Sequence, residues 1–128
     1  MIKKNIVKNL LSGILNGQQS LKKEVSVLKS DFCVNILKVL ERQGYIRGFV
    51  IEERHIKILL KYIEGRPVIT KIHKPRISTI SLKDLRKRYF SINFQGLGTT
   101  VLTTPKGIIT SYESIEKSTG GKVLFTII

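Results

Sequence analysis

The chain predicts an α+β protein built from two small α/β domains, residues 1–73 and 74–128. Three observations carry this. Apolar residues recur with a helical period in two early stretches, and period-two alternation takes over between and after them. Then Lys74-Pro75-Arg76 interrupts the pattern, which restarts on the far side as strands, a hairpin and a short helix. With 128 residues and 41% hydrophobic content, the chain has enough apolar material for one ordinary domain or two very small ones.

In the first domain, Ile2, Ile6, Val7, Leu10, Leu11, Ile14 and Leu15 form one helical stripe, and Lys3, Lys4, Asn5, Lys8 and Asn9 fill the opposite face. Asn16-Gly17 predicts the stop, because both residues tolerate left-handed geometry. "KKEVSVL" alternates as a strand. Ser30-Asp31 then offers an N-cap to a second helix with Cys33, Ile36, Leu37 and Leu40 on its apolar face, ending at Gly44. "YIRGFVIEE" and "HIKILLKYI" predict two more strands, the latter with Ile56, Ile58, Leu60 and Tyr62 on one side. A turn at Glu64-Gly65-Arg66-Pro67 leads into "VITKIH" as the last strand. The order is α-β-α-β-β-β, two helices layered on a small sheet.

In the second domain, "ISTISL" predicts a strand and the charged "KDLRKRYF" follows it. Gly96-Leu97-Gly98 breaks the chain before the strand "TTVLTT", and Pro105-Lys106-Gly107 turns it into "IITS". "YESIEKS" makes about two helical turns, with Ser111 as cap. Gly120-Gly121 ends it, and the almost wholly apolar "KVLFTII" predicts a strand in the middle of its sheet.

Charge narrows the function. There are 23 Lys and Arg against 9 Asp and Glu, a net charge of +14. A folded domain this basic repels itself unless a polyanion neutralises it, and nucleic acid is the first such partner. A lone cysteine, Cys33, excludes a disulfide framework, and its place in an apolar stripe predicts a buried structural thiol. His55 and His73 stand in strand-like segments without companions at ligand spacing, so no metal and no cofactor are expected. No apolar run reaches the roughly 18–20 residues that span a bilayer. The opening residues read as a helix of the fold, not as a signal or transit peptide. The acids show no paired arrangement, and Lys106 precedes Gly107, the reverse of a phosphate-binding GK[ST] loop. No catalytic residue is assigned and no enzyme activity is expected.

Two segments fit a nucleic-acid partner. In "TTPKG", Thr103 and Thr104 can exchange hydrogen bonds with base edges or ribose 2′-hydroxyls, Lys106 can reach a phosphate, and Gly107 admits a close backbone. The same five residues also make an ordinary hairpin turn. In "RKRYF", Arg86, Lys87 and Arg88 predict phosphate contact, and Tyr89 and Phe90 predict anchorage in the core. A short helix beginning near Ser111 would add its positive end beside the loop.

Five strings in order resemble small-subunit ribosomal protein eight, of the bacterial and organellar type: "NLLSGILNGQ", "LKVLERQGYIRGF", "LKYIEGRPVITKIHKPR", "GLGTTVLTTPKGIIT" and "GGKVLFTI". The resemblance spans essentially the whole chain, and its most specific part is Gly-Leu-Gly followed by hydroxyl-hydroxyl-x-Lys-Gly and then Gly-Gly. It implies two small α/β domains packed together. It also implies direct binding to a helix in the central domain of small-subunit rRNA, organising the platform, with neighbouring ribosomal proteins as further partners. A homo-oligomer is not implied. The RNA-binding residues it carries over are Thr103, Thr104, Lys106 and Gly107, with Gly120 and Gly121 at the turn before the last strand.

There are departures. The family pattern reads Ser-Thr-Ser-Lys-Gly at the loop, and Pro105 replaces the second serine, removing a hydroxyl and an N–H. Gly13 and Leu15 stand where the family carries arginines, and Thr79 where it offers a tyrosine. Residues 83–94 run a few residues longer than usual, and this basic insertion, with Arg86, Lys87 and Arg88, replaces lost contacts in our reading. The abundance of Ile, Lys and Asn predicts a mitochondrial, organelle-encoded protein, ahead of a plastid or bacterial cytoplasmic one. The rival reading is a basic protein-interaction module or a membrane-surface adaptor using the first helix.

Overall fold

The computed structural model describes residues 2–73, 79–87 and 98–128. The chain forms two compact units, Met1–Thr70 and Lys71–Ile128.

In the first unit, α1 (Ile2–Gln19) and α2 (Asp31–Arg42) accompany an antiparallel sheet of β1 (Glu24–Leu28), β2 (Ile46–Ile51) and β3 (His55–Leu60), in the order β1-β3-β2. Its core is the apolar set of the sequence pattern: Val7, Leu10, Leu11 and Ile14 from α1, Cys33, Ile36, Leu37 and Leu40 from α2, and Ile56, Ile58 and Leu60 from β3 are all buried. The apolar face of α1 is therefore consumed by the fold and is not available to a membrane surface. Ser30 caps α2 by accepting from the Phe32 and Cys33 amides at 3.2 and 3.4 Å. At its far end the Lys61 ammonium donates to the Gly44 carbonyl at 3.1 Å, a cation where the helix dipole is negative.

Helix α1 does not stop at Asn16-Gly17 but runs on to Gln19. Gly17 is there for packing: a Cβ would lie 2.4 Å from Val25 Cγ1 and 2.9 Å from Leu60 Cδ1, so the helix approaches β1 and β3 more closely than any side chain permits. The actual end is a Schellman closure, in which Lys22 N donates to Gly17 O and Leu21 N to Gln18 O, with Leu21 at φ +55. Running on buries Gln18, whose side chain donates to Lys61 O at 3.4 Å and accepts from Ile69 N at 3.1 Å. That amide secures the segment after a two-strand hairpin, β4 (Tyr62–Ile63) and β5 (Arg66–Pro67), turned by Glu64 and Gly65.

The stretch "VITKIH", expected as the last strand of the first domain, is not one strand. Ile69 is buried in the first unit, and β6 (Ile72–His73) pairs with β10 in the second. Lys71 also exchanges both backbone hydrogen bonds with Ile128, at 3.0 and 2.8 Å, tying the start of the second unit to its end. The expected boundary residues, Lys74, Pro75 and Arg76, lie outside the described residues.

In the second unit, β7 (Thr79–Ile80), β8 (Thr99–Thr104), β9 (Gly107–Thr110) and β10 (Gly121–Ile127) join β6 in an antiparallel sheet. Strand β10 pairs with β6, β7 and β8, so the apolar C-terminal strand is the middle of its sheet, as its sequence predicts. "ISTISL" gives only Thr79–Ile80 as strand. Residues 82–87 form a helix, α3, that the charged sequence did not announce. Ser81 starts it, accepting from Asp84 N at 3.2 Å. The last helix, α4 (Ser111–Glu116), is capped by Thr110, not Ser111. Thr110 reads as the cap because Glu113 stands three residues on: Thr110 Oγ1 accepts from Glu113 N at 3.2 Å and Glu113 Oε1 from Thr110 N at 3.1 Å, a reciprocal capping box.

Candidate nucleic-acid interface

The β8–β9 hairpin places the hydroxyl loop at the tip of the second unit's sheet. Register pairs Thr103 with Ile108 and Thr104 with Gly107, leaving Pro105 and Lys106 as the turn. Gly107 sits at φ +114, a conformation L side chains rarely adopt, and nothing lies within 4 Å of where its Cβ would be. The backbone is thus bare at the tip, as a close approach by a ligand chain requires.

Within the turn the polar groups divide. Thr104 Oγ1 donates to Gly107 O at 2.8 Å and accepts from Lys106 N at 3.1 Å, which fixes the hairpin. Lys106 Nζ donates to Lys117 O at 2.6 Å, holding one of its three N–H groups against the end of α4 and leaving two for a ligand. Thr103 is half-buried on the opposite face, with its hydroxyl unengaged among the described residues.

Gly120 and Gly121 have a packing role that sequence reasoning did not separate from binding. A Cβ on Gly121 would stand 2.4 Å from Thr103 O and 2.7 Å from Thr104 Cγ2. One on Gly120 would stand 2.6 Å from Ile80 O and 2.8 Å from Leu82 N. The two glycines let the hydroxyl strand and the start of α3 both close onto the first residues of β10.

Arg86 and Lys87 lie on α3, exposed, around a shallow recess they share with Leu82 and Lys83. Leu85 packs under them with Ile80, Leu102, Ile115 and Val123. Those strand residues alternate with Thr79, Thr103 and Lys122, so α3 and α4 cover one face of the sheet and Thr103 lies on the other. The structure therefore does not set Arg86 and Lys87 beside Thr103; a ligand meeting both must wrap the end of the sheet. Arg88, Tyr89 and Phe90 lie outside the described residues. The expected positive helix end is also closed: the capping box puts the Glu113 carboxylate on the first turn of α4, where a phosphate would have to sit.

Among the described residues no cluster of His, Cys, Asp or Glu could hold a metal ion, and no helix is long and apolar enough to cross a membrane. Cys33 is buried, and its burial pushes the thiol above its ordinary value against the opposing effect of the Ser30 hydrogen bond.

A strongly basic two-unit α+β chain with a hydroxyl-and-lysine hairpin tip is an RNA-binding type of protein, built without a catalytic constellation. Comparison with known proteins sharpens this. The family model for ribosomal protein S8 matches residues 5–128. The small ribosomal subunit protein uS8 of Rhodopseudomonas palustris strain BisA53 is 39% identical over 131 residues, covering 94% of this chain and 95% of that protein. Its counterpart in Nitrobacter winogradskyi is 38% identical over 130 residues, with the same coverage, and that of Rhodospirillum centenum 37% over 126 residues, covering 91% of each. The chain belongs to the ribosomal protein S8 family, whose members are structural, non-enzymatic proteins of the small ribosomal subunit that bind rRNA and adjoin other ribosomal proteins.

Proposed function

We propose that the chain binds small-subunit rRNA directly, in its central domain, and helps to order the platform as the subunit assembles. The bare-backbone hairpin tip at Thr103–Gly107 carries the reading. A net charge of +14 draws the chain to the phosphate backbone by counterion release, and the tip then enters a groove. Thr104 fixes the turn, Thr103 and Lys106 offer donors to ribose and phosphate, and Gly107 admits the RNA backbone. Gly120 and Gly121 shape the platform under the tip. Arg86, Lys87 and Arg88 add phosphate contacts from around the sheet end. The remaining surface meets neighbouring small-subunit proteins, with no membrane and no second copy of the chain. The Ile-, Lys- and Asn-rich composition supports a mitochondrial setting, and the bacterial relatives fit a bacterial-type ribosome there.

The test is a titration against an RNA carrying the central-domain helix, with duplex DNA of equal length as control, at low and moderate salt. RNA binding that outlasts the salt increase and weakens in Thr103→Val and Thr104→Ala supports the reading. Equal, salt-fragile binding to both nucleic acids would leave only charge and return the loop to a turn.

A further inference from the structure

A second polar row crosses the sheet beside the tip. Lys122 of β10 pairs directly with Thr103 of β8 on one side and Thr79 of β7 on the other. Directly opposed residues in antiparallel strands project from the same face, so the three side chains form one line, about 10 Å long across two strand gaps. Lys122 and Thr79 are exposed and Thr103 half-buried. None of the three has a side-chain hydrogen bond or ion pair among the described residues, whereas Thr104 and Lys106 next to them are already engaged in the hairpin. Nor does a carboxylate oppose the row from its own unit. Asp84 lies on α3 and Glu113 and Glu116 on α4, helices that pack through Leu85 and Ile115 on the other face.

From this we infer that Thr79, Lys122 and Thr103 form a second RNA-contact line, in which the Lys122 ammonium takes a backbone phosphate and the two hydroxyls exchange hydrogen bonds with adjoining ribose 2′-hydroxyls. The inference rests on the rRNA-binding reading and deepens it. It extends the contact surface from the hairpin tip across three strands, to a lysine and a threonine that the loop motif does not include. The line suits RNA in particular: hydroxyls flanking a cation can donate to or accept from a 2′-hydroxyl, a group that DNA lacks.

The experiment uses the full chain and the central-domain RNA, with Lys122→Gln, Lys122→Arg and, as a charge-matched control, Lys29→Gln on an exposed lysine of the first unit. Lys122→Gln should bind about tenfold more weakly, with the salt slope reduced by about one. Lys122→Arg should keep the slope, and Lys29→Gln should stay within about twofold with the slope unchanged. Thr79→Val should weaken RNA binding and leave binding to duplex DNA unaltered. If the wild-type chain binds the RNA but Lys122→Gln behaves like Lys29→Gln, the row is mere solvated surface and this inference is overturned alone. If the wild-type chain shows no preference for the RNA over DNA, the rRNA-binding reading itself fails.

Discussion

Gly121→Ala joins fold to site and carries a definite cost. The new Cβ would lie 2.4 Å from Thr103 O and 3.2 Å from Thr103 C, both backbone atoms of the neighbouring strand. Backbone in a paired strand cannot rotate away as a flexible side chain does. Either β8 retreats by more than half an ångström, stretching its ladder to β10, or the start of β10 is pushed out. Overpacking of this kind costs about 1–3 kcal/mol, which in a small domain is a fall in Tm of about 5–15 °C. The assay is denaturant unfolding, where the midpoint should fall with m unchanged. The retreat also displaces Thr103 and Thr104, so RNA affinity should fall under conditions where the variant remains folded. A loss below about 0.5 kcal/mol would refute the close approach of β8 to β10 from which the site's geometry is argued.

Helix α1 offers an opposed pair. Gly13→Ala would find its nearest neighbour, Val27 Cγ1, at 3.6 Å and should stabilise by about 0.5–1 kcal/mol, whereas Gly17→Ala meets Val25 at 2.4 Å and should destabilise despite the same gain in helix propensity; unfolding midpoints read both. Thr110→Ala removes one half of the capping box and should cost about 1 kcal/mol, readable in the same unfolding curves. For Cys33 the folded thiol is raised, so its contribution is whole below the unfolded value, about 8.5, and is lost as pH rises from there through the folded value; native-state thiol labelling should stay slow until the chain opens, and Cys33→Ala should flatten that alkaline loss. Lys57→Ala breaks an exposed pair with Glu24 at 3.7 Å and should change stability by less than about 0.5 kcal/mol.

Much of this molecule was legible because periodicity reports which face of an element is buried. The stripes of α1 and α2 and the alternation in β3 named the core of the first unit, and the apolar run of β10 named its central place in the sheet. Periodicity does not say what lies against that face. Gly17 reads locally as a helix stop and acts instead as a contact with β1 and β3, residues distant in sequence. Gln18 looks like helix surface but is a buried link to Ile69, and only the tertiary fold supplies that partner. Ile72–His73 has strand character, yet nothing in the sequence says which sheet will pair with it. Thr110 could have been found, since its capping-box spacing to Glu113 is in the sequence. At the site, the hydroxyl loop was legible as a motif. The row through Lys122 was not, because it exists only through the register of β7, β10 and β8.

The account's central claim is that the hairpin tip at Thr103–Gly107 is seated on the central-domain rRNA helix. The most direct test is tethered hydroxyl-radical cleavage from a cysteine placed at Lys106 or, as reference, at Glu52 in the first unit. Buried Cys33 needs no replacement, since it does not take up the probe in the folded chain. Cleavage of the central-domain helix on both sides of a groove from position 106, and weak or absent from position 52, is the predicted result. Strong cleavage there from position 52 with none from position 106 would contradict the claim.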